Sequence, residues 1–90
     1  MDFYKEQIQY NLKMMFYWMG KATESAKQGE NAMFELSQAT QASGKINEYR
    51  ACSDTMNLER GTETVLDWET MTADAIKQAR AMIEQEKQGE

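Results

Sequence analysis

The sequence contains no histidine and a single cysteine, Cys52, among its 90 residues. The absence of histidine excludes a Ser-His-Asp triad, a Cys-His nucleophile pair and zinc sites with imidazole ligands. One cysteine can form neither an internal disulfide bond nor a CxxC redox site, so we interpret Cys52 as a structural thiol. We therefore expect a protein that is not an enzyme and that holds no metal ion and no cofactor.

Proline is also absent, and the longest apolar run, residues 14–19, has six residues. A membrane-spanning helix needs about 20 apolar residues, so the sequence predicts a protein that does not enter a membrane. Acidic residues outnumber basic residues by 15 to 10, and the net charge of −5 disfavours direct binding to nucleic acid. With no signal peptide recognised, the expected location is the cytoplasm, or the host cytoplasm if a phage encodes the chain.

Residue types that favour helices are abundant, above all Met, Gln, Glu, Ala and Lys, and proline does not interrupt them. The chain is short enough for one all-α domain over residues 1–90. Gly44 is the best turn signal, because glycine suits the left-handed position after a helix and Ile46 can supply the accompanying apolar contact. The sequence therefore predicts a long antiparallel helical hairpin that turns at Gly44 and dimerises into a helical bundle.

The expected arms of this hairpin cover about residues 2–42 and 46–88, and the second arm is broken near 53–62. Each arm carries an apolar seam with alternating spacings of three and four residues, which is typical of packed helices. The seam of the first arm consists of Ile8, Leu12, Met15, Met19, Ala22, Ala26, Gly29, Met33, Leu36 and Thr40. The seam of the second arm consists of Leu58, Gly61, Val65, Trp68, Thr72, Ala75, Ala79 and Met82. Folding about Gly44 would place Leu12 against Ala79 and Met15 against Ala75. A compact bundle of three or four shorter helices, with Gly20, Gly29 and Gly61 as possible bends, is the alternative.

Aromatic residues are concentrated near the N-terminus, and one hairpin seam cannot bury them all. A second apolar stripe on each arm points to the same open end of the proposed hairpin. Three interpretations stay open for this surface: an internal core, a homodimer interface that forms a four-helix bundle, or a site for another protein. The candidate partner- or dimer-binding residues are Phe3, Tyr10, Met14, Phe16, Tyr17, Trp18, Leu66, Ile76 and Ile83.

An acidic face is predicted on the second arm, where carboxylates recur at helical spacing. Such a row is most often a solvated helix surface, but it could also imitate the phosphates of a nucleic acid strand. The residues of this face are Glu59, Glu63, Asp67 and Asp74.

The segment Trp18-Met19-Gly20 has the letters of a Trp-x-Gly motif, and the size and two-arm pattern resemble the small secreted hairpins of the WXG type. In that family the motif lies in the central turn, whereas here it lies inside the first arm. The resemblance therefore carries no function over to this chain.

These features together favour a non-enzymatic protein that acts by stoichiometric binding to another protein. A small inhibitor or adaptor is the preferred hypothesis. Phages and mobile elements encode such proteins against host defence (anti-CRISPR-like), and its partner would be a protein of the host machinery. A secretion-system chaperone or a helical assembly subunit is the alternative. A nucleic-acid-linked regulator is less favoured, and the Lys13–Lys21 side is where contacts to nucleic acid would be sought.

Overall fold

The computed structural model describes residues 3–60 and 67–89, with side chains for residues 3–53 and 67–89. This part of the chain consists of three helices and contains no strand: α1 (Phe3–Lys27), α2 (Met33–Arg60) and α3 (Trp68–Gln88). The prediction of an all-α fold is confirmed, and three helices match the bundle alternative. None of these helices combines the length and the apolar character that a bilayer crossing requires.

The chain reverses between α1 and α2 at Gly29, which has a φ of 74°. Glycine adopts this left-handed conformation without the steric penalty of a Cβ atom. The Glu30 N–H donates to the Ser25 carbonyl at 2.8 Å, and the Asn31 side chain accepts from the Met33 N–H at 2.9 Å. These bonds satisfy backbone groups that would otherwise lack partners at the two helix ends.

The predicted turn at Gly44 is wrong, because α2 continues through this residue without interruption. Ile46 does not cap a helix end but is buried in the core. The predicted break near 53–62 is likewise absent from its first part, since residues 53–60 are helical; Gly61 lies outside the described residues. The buried residues Ala39 and Ala42 precede Ile46 at helical spacing, so an apolar stripe continues across Gly44 and α2 can pack on α1 along its length.

The helices α1 and α2 are antiparallel. The start of α1 lies beside the second half of α2, where the ring centroids of Phe3 and Tyr49 are 6.3 Å apart. Further along α1, the ring of Trp18 meets that of Phe34 edge-on, with centroids 5.6 Å apart. An antiparallel helical hairpin is therefore present, but it turns at Gly29 and comprises α1 and α2.

The helices α1 and α3 are parallel, so the pairing predicted from a fold about Gly44 is wrong. Near the start of both helices, the Gln9 side-chain amide donates to the Met71 carbonyl at 3.0 Å. Near the end of both, Lys87 and Glu24 form an ion pair at 2.9 Å. Because α2 lies between α1 and α3 in the chain and runs opposite to α1, α3 begins near the start of α1 and runs parallel to it.

The core forms around the first half of α1, which packs against both other helices. Ile8 is fully buried, and half-buried Phe16 and Trp68 cover the edge of the cluster. The guanidinium of Arg50 lies 5.4 Å from the centre of the Trp68 ring, which links α2 to α3. The buried core residues are Ile8, Leu12, Ile46, Met71 and Ala75.

Candidate functional site

A shallow groove of about 130 Å³ lies between α1 and α2. Its floor includes Asn11 and Ala42, which are both buried, and its wall includes the ring of Tyr10, which is 53% exposed. Among the described residues, none of α3 lines this groove. The residues that line the α1–α2 groove are Tyr10, Asn11, Met14, Trp18, Gln38, Gln41, Ala42 and Lys45.

An exposed apolar surface adjoins the groove at the Gly29 end of the hairpin. Phe34 packs edge-on against the groove residue Trp18, yet 63% of Phe34 remains exposed. Its neighbour Met33 is 69% exposed. Large apolar side chains that are exposed together are typical of protein interaction sites, whereas single ones are common on any surface.

The polar groups of the groove are available for binding. Among the described residues, the side-chain amides of Gln38 and Gln41 form no hydrogen bond, and Lys45 forms no ion pair. Lys13 stands beside the groove with its amine 5.1 Å from the centre of the Tyr10 ring. Tyr10 and Lys13 also line a neighbouring cleft of about 340 Å³ between α1 and α3.

A polar network ties the end of α1 to the end of α3. The Tyr17 hydroxyl donates to one oxygen of Glu86, and Lys21 donates to the other oxygen at 3.0 Å. Burial, followed by the hydrogen bond to Glu86, raises the pKa of the Tyr17 hydroxyl. The hydrogen bonds from Tyr17 and then from Lys21 lower the pKa of Glu86. Lys21 and Glu86 also line a polar cleft between the ends of α1 and α3, whereas Tyr17 is buried.

The candidate binding residues of the sequence analysis occupy three separate environments. Tyr10, Met14 and Trp18 meet in the α1–α2 groove. Phe3 lies at the opposite end of the hairpin, against Tyr4 and Tyr49.

The other described candidates are buried or half-buried on α1 and α3. Phe16 packs on the core, Tyr17 is buried, and Ile76 is half-buried on α3. Ile83 is also half-buried, and its terminal carbon lies 2.6 Å from the position that a Cβ on Gly20 would occupy. Phe3 and Gly20 are separated by about 25 Å along α1, so Phe3 and Ile83 lie far apart along this helix. Leu66 lies outside the described residues.

The predicted acidic face is described only in part, since Glu63 and the side chain of Glu59 lie outside the described residues. Asp67 caps α3: it accepts from the Thr70 N–H at 3.1 Å and from the Thr70 hydroxyl at 2.8 Å. These two bonds lower the pKa of Asp67, the one to the backbone most strongly. Asp74 is exposed on α3.

Phe34 is the groove-side residue that the sequence analysis did not select. The sequence shows that Phe34 is a large apolar residue next to the seam position Met33, and that Phe34 itself does not lie on the seam. In the predicted arm 2–42 this residue lay in a helix interior, where one aromatic side chain off the seam carries little meaning. The turn at Gly29 places it instead in the first turn of α2.

The chain matches no family model, and no curated protein or solved structure shows significant similarity to it. Within the part of the chain that the structure describes, no three carboxylate or thiol groups are arranged to hold a metal ion. The α1–α2 groove and the residues around it are therefore the features of the structure that bear on function.

Proposed function

We propose that this protein is a non-enzymatic, protein-binding protein that acts by occupying the surface of a partner, as a small inhibitor or adaptor does. The contact surface is the α1–α2 groove together with Phe34 and Met33. The homodimer expected from the sequence is one of the alternatives that the experiment below distinguishes.

The observation that carries this proposal is the exposure of Phe34 beside the groove. Its ring is fixed on one side by Trp18 and faces solvent on the other. Aromatic and methionine side chains are enriched at protein interfaces, and a few such anchors supply most of the binding free energy. Placement on two packed helices also favours binding, because little conformational freedom is lost when a partner docks.

Site-specific photo-crosslinking tests the proposal. A photoreactive amino acid replaces Phe34 in one variant and Ala81, an exposed residue of α3, in the control variant. We expect crosslinking from position 34, but not from position 81, to one partner protein in a one-to-one complex. Phe34→Glu should then weaken the purified complex at least about 30-fold, the effect of losing one anchor residue, while Ala81→Glu should not.

Phe34→Glu is suited to this test because a carboxylate in the first turn of a helix is favourable for helix stability. Loss of binding with an unchanged circular dichroism spectrum therefore reports on the contact rather than on folding. Equal crosslinking from both positions, or no crosslinked protein from position 34, would contradict the proposed surface. Crosslinking of the chain to itself would assign the surface to a homodimer.

A further inference from the structure

The charge of the α1–α2 groove is opposite in sign to the charge of the whole chain. The chain has a net charge of −5, yet none of the eight groove-lining residues is acidic. Lys45 lines the groove and Lys13 stands beside it, over the ring of Tyr10. Lys45 has no carboxylate partner among the described residues, so its charge is available to a ligand.

The shape of the groove limits what can enter it. The groove is open to solvent, and its volume of about 130 Å³ leaves room for about one large side chain, which would contact Tyr10, Met14 and Trp18. The unpaired amides of Gln38 and Gln41 and the amine of Lys45 lie along the α2 side of that position. A ligand that fits therefore combines an apolar anchor with polar or anionic groups beside it.

A helix is the element that fills a gap between two antiparallel helices. α1 already packs against α3 through another face, and a fourth helix beside α1 and α2 would complete a four-helix arrangement. An amphipathic helix presents its anchors at i, i+3, i+4 and i+7, and its flanking positions can carry charge.

We propose that the α1–α2 groove binds an amphipathic helix of a partner protein whose apolar face is flanked by acidic residues. An apolar side chain of that helix enters the groove beside Trp18, and a carboxylate pairs with Lys45. This inference rests on the proposed function and names the kind of partner segment that it requires.

A second copy of the chain and a nucleic acid fit the groove less well. A twofold dimer places the same patch on both subunits, so two grooves without acidic residues would face each other. A nucleic acid would be bound through several phosphate contacts, but the net charge is negative and the groove offers Lys45 and the adjacent Lys13.

The test is a selection on the full-length protein from a displayed library of amphipathic peptides of about 20 residues. Leucine is fixed on the apolar face, and the flanking positions vary among Glu, Gln and Lys. We expect enrichment of Glu at these positions. The selected peptide should bind Lys45→Glu at least about 10-fold more weakly, the loss of about 1.4 kcal/mol. Its affinity should also fall as the salt concentration rises.

The control variant is Lys77→Glu, which makes the same charge change at an exposed lysine of α3 and should leave the affinity unchanged. The absence of any enriched helix, enrichment without a preference for Glu, or equal weakening by both variants would overturn the inference. It would also be overturned if single-stranded DNA competed with the peptide, or if sedimentation showed a dimer that Phe34→Glu dissociates.

Failure of this inference can be separated from failure of the proposed function. If position 34 crosslinks to a partner and that complex is indifferent to Lys45→Glu, the proposed function stands and the acidic helix is refuted. If position 34 crosslinks to no protein and no peptide is selected, both are refuted.

Discussion

Gly29 and Gly44 provide two alanine substitutions that should change the stability of the protein in opposite directions. Gly29 has a φ of 74°, which side-chain-bearing residues rarely adopt, whereas Gly44 lies inside α2. A Cβ atom added at either position would meet nothing within 4 Å. The two effects therefore come from the backbone alone and are free of steric contributions from neighbours.

The expected magnitudes follow from these conformations. Alanine in the left-handed region is less stable by about 1–2 kcal/mol, so Gly29→Ala should destabilise the protein by that amount. Alanine inside a helix is more stable than glycine by about 0.5–1 kcal/mol, so Gly44→Ala should stabilise it. The free energies of unfolding of the two variants should differ by about 1.5–3 kcal/mol.

Urea denaturation followed by circular dichroism at the helical minimum measures this difference. Since the free energy of unfolding falls by about 1–3 kcal/mol per molar urea, the two unfolding midpoints should lie about 0.5–3 M apart, on opposite sides of the wild-type midpoint. A turn at Gly44 would produce the reverse order. Destabilisation by Gly44→Ala together with a neutral or stabilising Gly29→Ala would refute the assignment of the hairpin turn.

Three further predictions concern the packing of α1. A Cβ on Gly20 would meet the terminal carbon of Ile83 at 2.6 Å, and Ile83→Val removes this carbon. Gly20→Ala should therefore gain about 0.5–1 kcal/mol of helix stability only in combination with Ile83→Val. A double-mutant cycle in urea that shows no coupling between the two positions would contradict this contact. Because the folded-state pKa of Glu86 lies below its usual 4.5, its stabilising effect is present above that pH and is lost as the pH falls through the folded-state value. The stability difference between wild type and Glu86→Gln should therefore be largest near neutral pH and approach zero in acid. A difference in melting temperature that does not change with pH would exclude this stabilising effect of the Glu86 carboxylate. Ile8→Ala should destabilise the fully buried core by about 2–5 kcal/mol and Ile8→Val by about 0.5–1.5 kcal/mol, and equal midpoints for both in urea would show that Ile8 is not in the core.

The helical class and much of the core face of α1 could be predicted from the sequence, because composition and local spacing determine them. The seam correctly included Ile8, Leu12 and Ala22, which are all buried, whereas its positions Met19, Met33 and Leu36 are exposed. The position of the turn could not be predicted in this way. Several glycines interrupt the pattern, and only the packing of α2 on α1 determines which of them leaves the helical conformation.

Only the α1 side of the candidate site could be predicted, because it depends on local sequence and not on the position of the turn. Tyr10, Met14 and Trp18 belong to one stretch of α1, and their positions on that helix follow from local sequence. The α2 side of the groove, with Gln38 and Lys45, depends on where the chain turns back. Because the turn was predicted at the wrong glycine, the α2 side of the groove, which carries the charge of Lys45, could not be predicted.

The parallel arrangement of α1 and α3 has a consequence for the order of folding. α2 follows α1 after the short segment 28–32, whereas the chain must pass through all of α2 before α3 can reach α1. Closing the longer loop costs about 1.5–2 kcal/mol more entropy than closing the shorter one. The buried contribution of α3 is also small, since two of its three buried residues are Ala75 and Ala79. We therefore expect the α1–α2 hairpin to form first during folding, with its groove already shaped, and α3 to dock afterwards as the more readily released cooperative unit.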